Sequence, residues 1–386
     1  MGPIGFRRAG HESARVVVHA DGCATVFSGA QSTGQGHATS FAQIAADVLG
    51  IAPDDVEVVQ GDTQAVPFGT GTFNSRSMAL GGSAVSEAAR KVLDKARRIA
   101  AHKLQRRPED LIYENGVFST MAHPSVVASV AHVTKRAQDK VVHAVFRRRS
   151  GIDLPAMGRD ATRVTFADVA HEAHLGHDLP LGMTPGLDAT AFFDPADMPF
   201  AYGTHIAVVE VDVETGQVAL VRHIVVDDCG RIINPLLVEG QVHGGAAQGI
   251  GQALMESIVH GAGGEPMVTG FSEYAVPHAT DLPAFETGHT ETPTKLNPLG
   301  ARGVGEGATI GATPAVVNAV LDALAPLGVT EVPMPMTPMR VWQAIERARK
   351  GRCGGPVTGA SPSPPNGSQA GRWTPLSHGT KGGHHA

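Results

Sequence analysis

Apolar and polar positions alternate over ARVVVHADGCATVFSG (14–29) in two runs that flank Ala20-Asp21-Gly22. That pattern predicts two strands joined by a tight turn. The period then lengthens. In HATSFAQIAADVLGI (37–51), Phe41, Ile44, Ala45 and Leu49 share one face of a helix. DDVEVVQGD (54–62) returns as a strand. A glycine- and serine-rich stretch, GTGTFNSRSMALGGS, leads into a long helix in which Val85, Ala88, Val92, Ala96, Ile99 and Leu104 recur at helical spacing. LIYENGVFS (111–119) predicts a second hairpin, turning at Asn115-Gly116.

Residues 120–160 break this rhythm. They hold a basic segment without caps, HVTKRAQDKVVHAVFRRRSG, and are expected to form a mobile insertion. Downstream, HIAVVEVDVETGQVALVRHIVVDDCG (205–230) predicts a strand pair joined at Glu214-Thr215-Gly216, and LLVEGQVHGGAAQGIGQALMESIV (236–259) a glycine-rich helix. Two last helices are expected to start at Thr313-Pro314 and Thr337-Pro338, each with a threonine cap and a proline in the first turn. From about 351 the chain is rich in Gly, Pro and Ser, which predicts a disordered tail over 351–386. Strands and helices in mixed order suggest an α+β or α/β domain, and 386 residues are enough for one large domain or two ordinary ones.

Composition narrows the function. A net charge of −6, interspersed along 386 residues, gives no electrostatic basis for binding nucleic acid or an anionic membrane. No apolar stretch is read as long enough to span a bilayer, and the first residues show no apolar signal core. Cys23, Cys229 and Cys353 form no CxxC pair, so no iron–sulfur or structural zinc site is expected in this chain. The 47 glycines mark many tight turns or close backbone approaches.

Several segments could carry chemistry. In GAQSTGQGHATSF (29–41), Gly34 and Gly36 flank Gln35 at a helix start. Bare backbone N–H groups there suit an anionic or amide-rich ligand, and the Gln35 amide could read a heterocycle edge. A tight turn around a buried glutamine fits the same pattern. In GTGTFNSRSMALGGSA (69–84), Ser75 and Ser77 could build a phosphate nest, with Arg76 adding charge; an ordinary helix entry is the alternative. HGGAAQGIGQA (243–253) places glycines inside a helix, which calls for close packing or a ligand near Gln248. His171, His174 and His177 could gather a metal on one helical turn, but Gly176 and Pro180 stop the helix there, and surface histidines are the favoured reading. Glu306 is a lone acid among Gly303, Gly305 and Gly307. Apolar surroundings would raise its pKa toward that of a general base, whereas a solvated turn glutamate would need no such setting.

Four collinear stretches carry a resemblance: GAQSTGQGHATSFAQIAADVLG, VVQGDTQAVPFGTGTFNSRSMALGGSAV, DDCGRIINPLLVEGQVHGGAAQGIGQAL and TETPTKLNPLGARGVGEGATIGATPAVVNAVLDAL. Together they resemble the later half of the molybdenum-binding large subunit of the xanthine dehydrogenase / aldehyde oxidase / carbon monoxide dehydrogenase family. They are most similar to bacterial carbon monoxide dehydrogenase-type chains, which use molybdopterin cytosine dinucleotide. The resemblance implies the fold of that family's second molybdenum-cofactor-binding domain: α+β, mixed sheets with packed helices, as one domain over 1–350. It implies that Thr33, Gly34, Gln35, Gly36, Asn74, Ser75, Arg76, Ser77 and Gln248 hold the cofactor, and that Glu306 is the catalytic base. No side chain of this chain is expected to ligate the metal.

The implied activity is oxidation of a small molecule (an aldehyde, N-heterocycle or CO) with water-derived oxygen. Electrons would pass to [2Fe-2S] clusters and FAD carried by a small and a medium partner subunit. The N-terminal half of the large subunit would be a further partner, and the location the bacterial cytoplasm, with membrane association only through partners. The upstream domain and the loop bearing a copper-ligating cysteine have no counterpart here, so CO is not singled out as substrate. A catalytically silent remnant or scaffold of the same fold, and a hydrolase built on His171, His174 and His177, are the competing readings.

Overall fold

A computed structural model describes residues 10–120 and 162–353. Of the insertion expected over 120–160, all but Thr120 lies outside the described residues, as does the tail beyond 353. The first hairpin forms as expected: β1 (Glu12–Val18) and β2 (Ala24–Ser28) pair antiparallel with Val16 opposite Val26. From β2 the chain crosses through α1 (His37–Leu49) to β3 (Val56–Gln60), which pairs parallel to β2. A single π-helical turn over Ser77–Gly82 runs into α2 (Ser83–Leu104). The helix packs across this sheet, burying Val85, Ala88, Val92 and Ala96 against Ala14 and Val16. Each fully buried branched side chain there contributes roughly 1.5–3 kcal/mol.

A small second sheet follows. β4 (Leu111–Glu114) and β5 (Val117–Thr120) turn at Asn115 and Gly116, whose φ values of 49° and 75° are those of a tight primed hairpin turn. β6 (Arg163–Thr165) pairs with β5 and leads into α3 (Phe166–Leu175), whose Thr165/Asp168 capping box fixes its start. β7 (Leu187–Phe193), absent from the sequence reading, closes the edge of the first sheet against β1.

The remaining chain builds a second layer pair. β8 (Tyr202–Val211) and β9 (Val218–Asp228) form the expected hairpin, and β10 (Phe285–Thr290) joins β9 in parallel. One face of this sheet packs on α4 (Pro235–Leu254) and α5 (Gly307–Leu324). The other leaves Ile206, Val208 and Val226 exposed. The glycines of α4 serve helix–helix contact: a Cβ on Gly249 would meet the Thr309 carbonyl at 2.8 Å and Ala312 Cβ at 2.9 Å. α6 (Pro338–Cys353) opens on its proline as expected and continues past residue 351.

Two expectations are corrected here. α5 begins at Gly307, not at Thr313-Pro314; Pro314 lies inside the helix on its exposed side. Thr313 is no cap, for its hydroxyl donates instead to the carbonyls of Thr309 and Gly249, at 3.2 and 3.1 Å. Gly307–Leu327 is also long and apolar enough, by length and composition, to cross a membrane, with 28% of that window buried. In the fold it packs against α4 and β8.

The apolar core is divided accordingly. One cluster lies between the first two sheets and α1–α3, a second between the third sheet and α4–α6, and a third, smaller one joins Val225, Val242 and Ala246 to Ala308 and Ala312. The seam between them is bonded. Asn234 Nδ2 donates to Gln43 Oε1 at 3.0 Å, and a Cβ on Gly36 would collide with Leu237.

Candidate functional site

A cavity of about 660 Å³ opens along this seam, within the ~300–1,000 Å³ usual for cofactor sites. Its walls come from four separated segments: the Thr33–Gln35 turn, the loop through Ser75 and Ser77, the stretch from Cys229 through α4, and the bend at 302–306. Four helix starts border it. His37 opens α1, Ser77 and Met78 open the π–α2 helix, Asn234 caps α4, and Glu306 is the N-cap of α5. None of these helices has an acidic residue in its first turn. The positive ends of their dipoles are therefore uncompensated, apart from Glu306 itself, and favour an anionic ligand.

The bend around Glu306 is set by backbone against backbone. A Cβ on Gly303 would overlap the Ser75 carbonyl oxygen, so only glycine allows this approach. Asn74 and Ser75 hold the other side of the contact with φ of 51° and 53°, consecutive left-handed residues that cost of order 1 kcal/mol each. The contact also positions Ser75 Oγ to accept the Glu306 N–H at 2.9 Å. Gly305 lies close to Gln241 Oε1 and Ser75 Oγ, at 3.7 and 3.6 Å from its virtual Cβ. Glu306 itself is exposed at the cavity mouth. The apolar enclosure expected around it is not supplied by the described residues.

The other candidates divide by what their side chains do. Gln35 is half-buried and folds back on its own turn: its Oε1 accepts the Thr33 N–H at 2.5 Å and its Nε2 donates to the Gln31 carbonyl at 3.2 Å. Gly34 lines the cavity and Gly36 caps α1 with φ 76°. Gln248 reaches the wall from α4. The Ser77 hydroxyl is buried and donates to Thr72 Oγ1 at 2.9 Å. Arg76 does not face the cavity. Its guanidinium is fully buried on Glu12 at 2.7 Å and also donates to the Gly71 and His11 carbonyls. It ties the Ser75 loop to β1, a partnership that 64 residues of separation hide from the sequence.

Further residues on the cavity were not singled out in the sequence. Gln241 is the clearest, one more amide on the ligand-facing side of α4. His37 is buried, stacked on Phe41 with ring centroids 5.1 Å apart, and its Nδ1 has no partner. Burial pushes its pKa down to about 4, so the ring is neutral. Burial also pushes the Cys229 thiol up to about 11, with Asp228 adding to the effect, which keeps it protonated and a poor metal ligand. Arg302 is anchored at the rim by donation to the Phe200 carbonyl at 2.8 Å.

Asp228 organises the approach to this bend. Burial would raise its pKa, but donation from Gly230 N–H at 2.8 Å, from Thr292 and from Thr290 outweighs that and holds it at about 2. Through these bonds the end of β9 is joined to the strand end at 290–292, beside the Gly230–Ala301 bridge that leads to Gly303. His171, His174 and His177 are all exposed, and Gly176 ends α3 before His177. Among the described residues no three His, Cys, Asp or Glu side chains could hold a metal ion.

The cavity's donors suit an organic ligand that carries anionic groups. The amides of Gln241 and Gln248, the Ser75 hydroxyl and the helix N-termini match a pterin edge and phosphate oxygens, whereas the Gln35 amide and the Ser77 hydroxyl are spent within their own loops.

The chain belongs to the molybdopterin cofactor-binding domain family, which it matches over residues 1–283. It is 35% identical over 335 residues to the carbon monoxide dehydrogenase large chain of Hydrogenophaga pseudoflava, covering 87% of this chain and 37% of that one. The nicotine 6-hydroxylase large subunit of Paenarthrobacter nicotinovorans is also 35% identical, over 337 residues, with the same coverage of 87% and 37%. Among solved structures, quinoline 2-oxidoreductase from Pseudomonas putida 86 superposes with a TM-score of 0.73 at 35% identity, covering 87% of this chain and 38% of that chain. The chain thus spans well under half the length of these relatives, less than the half expected from sequence. The α+β fold with mixed sheets is that of molybdenum hydroxylase large subunits.

Proposed function

We propose that this chain seats the molybdenum cofactor of a hydroxylase or dehydrogenase, in its molybdopterin cytosine dinucleotide form, and supplies the acid–base residue Glu306. One observation carries the reading: the Gln35 turn, the Ser75 loop and the Glu306 bend, remote in sequence, share one cavity ringed by uncompensated helix N-termini. When bound, the cofactor supplies a two-electron redox centre. The chain's own residues do the rest. Gln241 and Gln248 present amides that can orient a heterocycle, and His37 presents a neutral ring at the base of α1. Asn74 and Ser75 fix the loop against Gly303, which aims the Glu306 carboxylate into the cavity mouth to take up a proton.

The reaction is oxidation of an aldehyde, an N-heterocycle or CO with water-derived oxygen; the relatives named for CO, nicotine and quinoline support this range. The active assembly of this reading includes the N-terminal part of the large subunit, which the 37% coverage of the carbon monoxide dehydrogenase large chain supports. An FAD-binding subunit and a [2Fe-2S] subunit complete it. The test is Glu306→Gln in the purified complex. Turnover should fall at least ~10²-fold, as for loss of a general base, while molybdenum content stays at the wild-type level. Undiminished turnover overturns the role of Glu306.

A further inference from the structure

A second cavity, of about 820 Å³, lies behind α1 and adjoins the first only through Arg231 and Ile233. Its charge is unusual for a chain of net charge −6. Three guanidiniums, Arg90, Arg97 and Arg231, face one carboxylate, Asp47. Arg97 is fixed by donation to the Leu111 carbonyl at 2.8 Å and by stacking over Phe118. Arg90 and Arg231 are exposed and have no ion pair or side-chain hydrogen bond among the described residues. At the wall, Ser86 is 1% exposed and its hydroxyl has no partner. A buried hydroxyl left unpaired is destabilising, and a ligand oxygen would relieve that cost. The Tyr113 ring lines the same pocket, with its hydroxyl committed to the Leu49 carbonyl.

Arginines present a planar fork that matches phosphate oxygens. The aromatic wall and a volume far above that of one phosphate call for an organic moiety as well. We propose that this pocket binds a nucleotide-sized phosphate ester, its phosphate on Arg90, Arg97 and Arg231 and its ring system toward Tyr113. The inference is independent of the function assigned to the first cavity, because Arg90, Asp47 and Ser86 line only the second.

The test is calorimetric titration of the full chain with cytidine monophosphate, and with inorganic phosphate as the group alone. Saturable binding of the nucleotide is expected, weaker for phosphate and weaker at higher salt. Arg90→Gln should weaken it about tenfold, the loss of one charge-assisted bond. Asp47→Asn should tighten it, an effect that misfolding cannot mimic. In a Gln35→Ala background, which alters only the first cavity, the opposite effects of Arg90→Gln and Asp47→Asn should persist. If the phosphates of the bound cofactor themselves fill this pocket, loaded protein will not bind the free nucleotide; if the site serves a separate ligand, loaded and unloaded protein will bind it alike. Absence of nucleotide binding to unloaded protein, or binding indifferent to both Arg90→Gln and Asp47→Asn, overturns the proposal.

Discussion

Gly303→Ala and Gly305→Ala add the same methyl group two residues apart in one loop, yet the structure assigns them opposite outcomes. At Gly303 the new Cβ would occupy the space of the Ser75 carbonyl oxygen. Both partners are backbone, so no rotamer change relieves the overlap. Either the bend or the loop must move, and Ser75, already left-handed at φ 53°, has little room to do so. The same movement breaks the bond from Glu306 N–H to Ser75 Oγ. Overpacking of this kind costs ~1–3 kcal/mol, to which the lost bond adds roughly 1 kcal/mol. At Gly305 the nearest atoms lie 3.6 and 3.7 Å from the added Cβ, ordinary contact distances. That variant should stay within about 0.5 kcal/mol of wild type. Equilibrium denaturation of the two full-length variants, with the midpoint as readout, compares them directly. Equal midpoints for Gly303→Ala and Gly305→Ala would refute the backbone contact, and with it the aiming of Glu306.

Further outcomes follow from the buried polar groups. Glu12→Gln leaves the Arg76 guanidinium buried without its counter-charge, and chemical denaturation should register a loss of about 3–5 kcal/mol. His37 and His223 are both held neutral by burial, with pKa values near 4 against 6.5, the neighbouring His205 adding to the shift at His223. Unfolded chains therefore bind more protons between those values, so stability should fall as pH drops from 6.5 toward 4, by up to roughly 3 kcal/mol per histidine. A midpoint constant over that range would contradict the neutral rings. Asp228 acts lower: its stabilisation, complete above pH 3.8, should disappear as pH falls to about 2, and Asp228→Asn should flatten that acid limb. Gln241→Ala should lower cofactor occupancy in the purified complex without changing the far-ultraviolet spectrum, since Gln241 is on the cavity wall.

Much of the fold could be read from periodicity because its elements are locally determined. The β1–β2 and β4–β5 hairpins announce themselves by turn residues, and α2 by a long apolar stripe. What escaped depends on distant partners. β10, FETGHT, carries glycine, histidine and glutamate and becomes a strand by parallel pairing to β9. Thr313-Pro314 imitates a helix start, but the backbone contact at Gly303 fixes the true one several residues earlier. At the site, the glycines around Glu306 were a valid signal of close backbone approach. Arg76 misled because a basic residue in a serine-rich loop looks like an anion ligand until its partner, Glu12, is seen. Gln241 gave no signal, since a glutamine about two turns into a helix resembles any surface position.

The account stands on the first cavity as a cofactor cradle, and its most direct measurement is the stoichiometry of bound cofactor. Molybdenum by mass spectrometry and cytidine monophosphate released on acid hydrolysis should both approach one per chain in the native complex. Both should fall together when Ser75→Pro disrupts the loop that meets Gly303. A complex that turns over substrate while carrying neither molybdenum nor releasable cytidine nucleotide would contradict it.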